Sequence, residues 1–142
     1  MTDPEDPRRA LARQFIEALP HCKALGLMVD DVQDGFAAMS MPWNDMLVGD
    51  PTTVVIHGGA VSSLMDTCSG TAVIAHPRGP TSTATLDLRI DYMRPATPGQ
   101  SITAEATCYH MTRTVAFVRA VATDDDSDNP VATATGAFTV KT

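Results

Sequence analysis

Apolar positions recur every three or four residues between Gly58 and about Ala75. This spacing predicts a long helix with one apolar stripe packed against a core. The opposite stripe consists of small residues and one charge, Asp66, which we expect to be buried. Residues 76–80 (HPRGP) end the helix, because proline cannot continue one. The apolar stripe comprises Ala60, Val61, Leu64, Met65, Cys68 and Ala72.

Alternating apolar and polar residues predict strands on both sides of this helix. Before it, residues 25–41 form two extended runs around Asp34-Gly35, a two-residue hairpin signal. After it, strands are predicted at 81–93, 101–111, 114–122 and 131–140, with an acidic loop at 123–130. We expect the core-facing residues to be Leu86, Leu88, Ile90 and Tyr92 in the first of these strands, Ile102, Ala104, Ala106 and Cys108 in the second, and Val115, Phe117 and Val121 in the third.

A short N-terminal helix is predicted over residues 4–20, with Pro20 as its end and an apolar face of Leu11, Phe15, Ile16 and Leu19. Residues 42–56 are turn-rich. The order of elements predicts an α+β fold, in which a long central helix is wrapped by a curled antiparallel sheet of five to six strands. The length fits one domain, 1–142, with the N-terminal helix in 1–20 and the core in 21–142.

Composition and charge exclude several classes of protein. A net charge of −7 argues against nucleic-acid binding, which needs clustered Lys and Arg. No apolar run approaches the roughly 20 residues of a membrane span, and the N-terminus lacks the pattern of a signal peptide. Three cysteines without a CxxC pair favour reduced thiols, and no residue group has metal-ligand spacing. We expect a cytoplasmic protein that binds no metal, no nucleic acid and no membrane.

Candidate chemistry lies where the long helix begins, at His57-Gly58-Gly59. A helix N-terminus has unpaired N–H groups and partial positive charge, so it attracts an oxyanion, and glycines let a substrate approach. These residues predict an oxyanion hole for acyl transfer, with Asp66 as nucleophile or general base. Gly58 and Asp66 are separated by about 12 Å along the helix axis. A site that uses both therefore needs two antiparallel copies of the helix in a two-fold dimer.

The combination of His57-Gly58-Gly59 with Asp66, YMRPATPG at 92–99 and TRTVAF at 112–117 resembles the hot-dog fold acyl-CoA thioesterases. The most similar group is the phenylacetate-degradation type within the 4-hydroxybenzoyl-CoA thioesterase-like superfamily. The resemblance covers about residues 20–142. It implies an acyl-CoA substrate bound along the interface of a homodimer, which in many members pairs into a dimer of dimers. It implies no cofactor beyond the CoA of the substrate.

The resemblance also implies roles for single residues. The Gly58 N–H would bind the thioester oxygen beside Gly59, His57 would orient the substrate, and Asp66 of the partner chain would be nucleophile or base. Thr85 matches a Ser or Thr that assists in some members. Its alternation with Leu86 points it away from the core, so reaching the site requires a bulge or a partner's surface.

Three further residues are predicted to bind substrate. Ser63 shares the helix face of Asp66, and Arg113 matches a region where basic residues meet CoA phosphates. In many members an Asn or Gln six residues before the histidine helps to position the attacking water or the thioester. That position is Pro51 here, so Asp50 or Thr52 would have to take this role.

The predicted function is hydrolysis of a small or aromatic acyl-CoA to free acid and CoA. The alternative is a non-catalytic acyl-CoA binding or regulatory module. This alternative is favoured if Pro51 has removed a side chain that catalysis needs for positioning. A third interpretation keeps only the α+β architecture, as a lyase or isomerase domain in which Asp66 acts on a carbon acid. Such a domain needs neither the two glycines nor a dimer.

Overall fold

The computed structural model describes residues 5–142. A single 3₁₀ turn, Asp45–Leu47, accompanies the helices and strands of this part of the chain. In chain order these are α1 Pro7–Ile16, α2 Pro20–Leu25, β1 Met28–Gln33, β2 Phe36–Met41, β3 Val48–Asp50, β4 Val55–Ile56, α3 Gly58–Ile74, β5 Ser82–Tyr92, β6 Ile102–Met111, β7 Val115–Thr123 and β8 Ala132–Lys141.

Six strands form one antiparallel sheet in the order β1-β2-β6-β7-β8-β5, and α3 packs across β2, β6, β7 and β5. The predicted long helix against an antiparallel sheet is therefore confirmed. The hairpin at Asp34-Gly35 is also confirmed, with Gly35 at a φ of 66° that favours glycine. Within residues 5–142, no helix has the length and apolar character that crossing a bilayer requires.

The apolar stripe of α3 is buried as predicted. Leu64, Met65 and Cys68 are fully inaccessible and belong to the same core as Met39 and Ile102. Burying one such Leu or Met side chain contributes about 1.5–3 kcal/mol, so α3 is firmly seated on the sheet. Asp66, on the opposite stripe, is only half-buried, and the expectation of burial is wrong for the single chain. On that side α3 meets β5, a strand at the sheet edge that leaves the small-residue stripe partly uncovered.

The N-terminal segment differs from the prediction. Helix α1 ends at Ile16, and Pro20 begins α2 instead of ending a helix, because proline is well tolerated in a first turn. Leu11 and Phe15 are 67% and 66% exposed, whereas Ala12 and Ile16 pack against the core. Residues 1–4 of the predicted segment lie outside the described residues.

Helix α1 covers one edge of the sheet. Arg13 donates from Nε to the carbonyl of Val29 in β1 at 3.1 Å, and Glu17 Oε1 accepts from the amide of Val29 at 3.1 Å. Such contacts protect an edge strand from pairing with another chain. The opposite edge, β5, pairs only with β8 in the part of the chain that is described. The sheet thus has one covered edge and one open edge.

A β-bulge in β5 changes which side chains face α3. The register with β8 shifts between Thr85 and Asp87, so Leu86 is the extra residue. Leu86 is 58% exposed, and the prediction that it faces the core is wrong. Beyond the bulge, Leu88 and Ile90 pack against the core as predicted.

Two contacts from β8 hold this bulge. A Cβ on Gly136 would lie 2.5 Å from the carbonyl oxygen of Asp87, so only glycine fits at this position, which pairs with Leu88 just beyond the bulge. The Asp87 carboxylate accepts a hydrogen bond from the amide of Ala137 at 3.1 Å. The side chain thereby supplies an acceptor where the regular ladder is interrupted.

The prediction of which β7 side chains face the core is wrong. Both sets of alternate residues in this strand are apolar, so a period of two does not reveal which set faces the helix. The set against α3 contains small residues, which allow the helix to lie close. The predicted residues Val115, Phe117 and Val121 are only half-buried, and the buried residues are Ala116, Val118, Ala120 and Ala122.

Candidate active site

His57 caps the N-terminus of α3. Its Nδ1 accepts a hydrogen bond from the amide of Gly59 at 2.8 Å, and its own amide donates to the carbonyl of Leu47 at 2.7 Å. Since Nδ1 accepts, the neutral ring carries its proton on Nε2. A Cβ on Gly49 would lie 2.9 Å from His57 Cα, so glycine is needed where β3 passes this residue. The small β3–β4 hairpin, in a region expected to be irregular, therefore positions the cap.

Gly58 carries the free donor of the first turn. The Gly59 amide is taken by His57, and the amide of Ala60 donates to the carbonyl of His57 at 3.0 Å. The amide of Gly58 has no acceptor within residues 5–142. An unpaired N–H at a helix N-terminus is suited to an oxygen that gains negative charge. Gly59 has no such donor left to offer.

Asp66 and Thr85 form the second part of the site. Thr85 Oγ1 donates to Asp66 Oδ1 at 2.7 Å. Asp66 has no ion pair and no second hydrogen bond among the described side chains. The carboxylate is thus oriented by one hydroxyl and keeps Oδ2 free for a proton or a carbonyl carbon. The sequence predicts that Thr85 points away from the core unless a bulge intervenes, and the bulge at Leu86 turns Thr85 toward Asp66.

The remaining predicted residues make no hydrogen bond to this pair. Ser63 Oγ donates to the carbonyl of Gly59 at 2.9 Å, so its hydroxyl stabilises the first turn of α3. Arg113 is exposed in the turn between β6 and β7. Arg78, which follows α3, donates to the carbonyl of Met111 at the start of that turn, so Arg113 belongs to the end of the sheet far from Gly58.

Asp50 lies at the end of β3 in the turn that contains Pro51. Its Oδ1 accepts from the amide of Thr52 at 2.9 Å, and this hydrogen bond lowers the pKa of Asp50. The same turn places Val54 at a φ of 63°, a left-handed conformation that a β-branched residue rarely adopts. Asp50 is therefore an exposed, ionised carboxylate tied to its own turn.

In one chain, Gly58 and Asp66 do not meet. Both belong to the 17-residue helix α3. Their separation along its axis is about 12 Å, too far for one carbonyl group to contact both. Each chain therefore carries two separate candidate half-sites, one at Gly58 and one at Asp66 with Thr85.

An apolar cleft of about 440 Å³ opens beside Gly58. Its one cationic lining residue, Arg94, donates two hydrogen bonds to Asp124 at 2.8 and 2.6 Å, so this charge is already paired. The volume lies within the range of small-molecule pockets, roughly 300–1,000 Å³. The cleft is lined by Val55, Ile56, Gly58, Val61, Tyr92, Met93, Arg94, Pro95, Ala96 and Val131.

Sequence reasoning missed the supporting residues of the site. Gly49 and Gly136 each permit a close backbone approach, and a glycine within a strand is the signal that could have found them. The prediction that Tyr92 faces the core is wrong: the residue is 52% exposed, and its hydroxyl donates to the carbonyl of Gly58 at 2.8 Å. No local sequence pattern announces that contact, which joins residues 34 positions apart.

The cysteine thiols are poorly suited to act as nucleophiles. The three cysteines are free and buried, and burial raises the pKa of the Cys68 thiol to about 12, which disfavours a thiolate nucleophile. Among residues 5–142, no three His, Cys, Asp or Glu side chains are close enough to share a metal ion.

Comparisons with known proteins identify the family of this chain. The sequence profile of the thioesterase superfamily matches residues 54–131, a range that includes His57, Asp66 and Thr85. Medium/long-chain acyl-CoA thioesterase YigI of Salmonella typhimurium is 26% identical over 96% of this chain and 95% of its own length. The chain belongs to the thioesterase superfamily, and the predicted class of enzyme, a thioester hydrolase, is confirmed at the family level.

Solved structures extend the likeness to the fold. A Pseudomonas aeruginosa protein is 39% identical with a TM-score of 0.82, covering 94% of this chain and 98% of that chain. The Escherichia coli PaaI protein from the phenylacetic acid degradation operon is 23% identical with a TM-score of 0.82, covering 95% and 92%. The similarity to PaaI is evidence for the fold alone. The predicted hot-dog fold is confirmed.

Proposed function

We propose that this protein hydrolyses a small or aromatic acyl-CoA to the free acid and CoA. The observation that carries the proposal is the pair of half-sites: the unpaired amide of Gly58 and the carboxylate of Asp66 held by Thr85. The thioester oxygen binds the Gly58 N–H, which stabilises the negative charge that develops during attack. His57 orients the bound substrate.

Asp66 of the partner chain acts in one of two ways. As a general base it takes a proton from water, the hydroxide adds to the acyl carbon, the C–S bond breaks, and the proton goes to the CoA sulfur. As a nucleophile it adds to the acyl carbon and the C–S bond breaks, which releases the CoA thiolate and leaves an acyl-carboxylate anhydride. Water then opens the anhydride to the free acid and the Asp66 carboxylate, and a proton of that water goes to the CoA sulfur. Both routes consume one water and need no cofactor. The proposed location is the cytoplasm, because the three cysteines are free and reduced thiols persist there.

The two half-sites require a homodimer, and the sheet edges support a particular arrangement. Side chains of α1 cover β1, whereas β5 is open and carries Thr85. Antiparallel pairing of two β5 strands would remove the free edges and set the two α3 helices side by side. Each dimer then contains two composite sites, and a dimer of dimers adds none.

The acyl group is proposed to occupy the apolar cleft beside Gly58. A cleft of about 440 Å³ accommodates an aromatic ring or a short chain, and its cationic lining residue Arg94 is already paired with Asp124. The YigI relative is named for medium and long chains, so a longer acyl group is the competing substrate class. Arg113 is the proposed contact to the CoA phosphates. Asp50 is proposed to position the attacking water or the thioester in place of the residue lost at Pro51, and Ser63 is a proposed substrate-binding residue.

The first experiment measures thiol release from short, medium, long and aromatic acyl-CoAs, with Asp66→Asn beside the parent. We expect turnover of short or aromatic esters and a loss of about 10²–10⁴-fold in Asp66→Asn. Activity that rises with the length of the acyl chain would show that the substrates are medium- or long-chain acyl-CoAs and not small or aromatic ones. Tight CoA-ester binding without turnover would favour the non-catalytic module, since Pro51 offers no polar side chain to position water.

A mixed dimer tests the composite sites. Gly58→Pro removes one amide hydrogen, and Asp66→Asn removes one carboxylate. A mixed dimer of these two variants, purified through two tags, keeps one intact site and should retain about half of the parent activity. A mixed dimer as inactive as both homodimers would place the whole site within one chain and overturn the arrangement.

A further inference from the structure

The peptide group between Gly58 and Gly59 is held at both ends by side chains. Its carbonyl oxygen accepts a hydrogen bond from Tyr92 Oη at 2.8 Å, and its N–H donates to His57 Nδ1 at 2.8 Å. Tyr92 lies at the end of β5, whereas His57 precedes α3. The two hydrogen bonds therefore fix the orientation of one peptide plane from two directions.

This plane adjoins the free donor of the site. The Gly58 N–H is separated from the held peptide by a single Cα, and its direction depends on the backbone dihedral angles of Gly58. Two consecutive glycines at the end of a helix have the greatest backbone freedom of any residue pair, so the chain itself does little to fix that direction. Oxyanion stabilisation depends on donors that are oriented before the reaction begins.

The ring of Tyr92 adds a packing contact to the hydrogen bond. A Cβ on Gly58 would lie 3.4 Å from ring atoms of Tyr92, so the ring already rests against the glycine. The remaining ring surface lines the apolar cleft together with Val61 and Ala96. One side chain thus contacts both the proposed oxyanion donor and the proposed acyl cleft.

We propose that Tyr92 is a positioning residue, whose hydrogen bond to the Gly58 carbonyl orients the Gly58 amide toward the thioester oxygen. The proposal rests on the proposed thioesterase function of the same site. Tyr92 acts through the backbone, because its hydroxyl proton is already donated to Gly58. Its loss should therefore affect stabilisation of the transition state more than binding of the ground state.

The test is Tyr92→Phe, which keeps the ring and removes the hydroxyl. We expect kcat to fall about five- to tenfold, the effect of one hydrogen bond, with KM within about twofold of the parent. Tyr109→Phe is the matched control, since Tyr109 is the other tyrosine of the chain and its ring lies 4.1 Å from the Arg119 guanidinium. The control should leave both kcat and KM unchanged.

Amide hydrogen exchange gives a second readout that a merely structural role would not produce. In Tyr92→Phe, exchange at Gly59 should accelerate about fivefold, while the rest of α3 keeps the parent rates. Tyr92→Met, which also lacks a donor, repeats both measurements if the first variant does not fold. A kcat within twofold of the parent, or unchanged exchange at Gly59, overturns the proposal.

The parent and Asp66→Asn are assayed in the same series. A parent inactive on every thioester would refute the proposed function. An active parent with an inactive Asp66→Asn and an unaffected Tyr92→Phe would refute only the role of Tyr92.

Discussion

Thr85 Oγ1 lies 2.7 Å from Asp66 Oδ1, and this hydrogen bond joins the open edge strand to the central helix. It exists because Leu86 is extruded in a bulge, which turns Thr85 toward α3 while Leu88 still packs against the core. The bulge therefore allows one strand to serve both the core and the site.

Replacing Thr85 with Val should lower kcat about tenfold, since a hydrogen bond to a partly exposed carboxylate contributes about 1.4 kcal/mol. Steady-state kinetics on the best acyl-CoA checks this. Thr83→Val is the matched control, because the Thr83 hydroxyl donates to the backbone carbonyl of Thr139 at 2.7 Å and not to Asp66. Equal losses of kcat in both variants would show that the substitutions disturb β5 as a whole and that the hydrogen bond to Asp66 is not the cause.

Gly58→Pro should lower kcat about 10²–10³-fold, the usual effect of losing one oxyanion donor. Proline suits the first residue of a helix, and His57 has the extended conformation, ψ 134°, that proline requires before it. Gly58→Ala is assayed in parallel because it adds similar crowding against Tyr92 but keeps the N–H. Similar losses in the two variants would assign the effect to crowding.

Gly136→Ala should destabilise the protein by about 1–3 kcal/mol, because the new Cβ would press on the Asp87 carbonyl at 2.5 Å. Urea unfolding measures the loss, and turnover should fall as well if the bulge shifts Thr85. Thr135→Ala, an exposed change one residue away, should stay within about 0.5 kcal/mol of the parent. An unchanged midpoint for Gly136→Ala would contradict the tight contact.

Val54→Gly should stabilise the protein by about 0.5–1 kcal/mol. Relief of the left-handed conformation at φ 63° outweighs the entropy that glycine adds to the unfolded chain. Val55→Gly, in β4, provides the comparison and should be destabilising. If both changes lower the urea midpoint alike, Val54 is not strained.

Asp124 should make stability depend on pH in the acidic range. Its side chain is fully buried, and the hydrogen bond from Arg94 holds the pKa of Asp124 well below its usual range. The contribution is complete above the unfolded pKa of about 3.9 and is lost as pH falls toward the folded pKa. Asp124→Asn should cost about 1.5–3 kcal/mol at pH 7, the contribution of a hydrogen bond to a charged group, and flatten the decline in unfolding free energy below pH 4. Exposed Asp125→Asn should change neither quantity.

The sequence alone was enough to predict the elements that depend only on residues close together in the chain, namely the central helix and the first hairpin. The spacing of Leu64, Met65 and Cys68 predicts α3, and Asp34-Gly35 predicts the first hairpin, because helix periodicity and turn chemistry are encoded within a few positions. The glycines at 58 and 59 and the acid at 66 indicate the chemistry for the same reason.

Tertiary structure alone decided which faces and partners those elements use. The bulge at Leu86 depends on Gly136 and on a hydrogen bond between Asp87 and Ala137, 50 residues apart. The facing of β7 could not be predicted, since both of its sides are apolar and only the fit under α3 selects the alanines. The contact of Tyr92 with Gly58 likewise arises from sheet order. Contacts between distant segments leave no periodic signal in either segment, so they become visible only when the chain is folded.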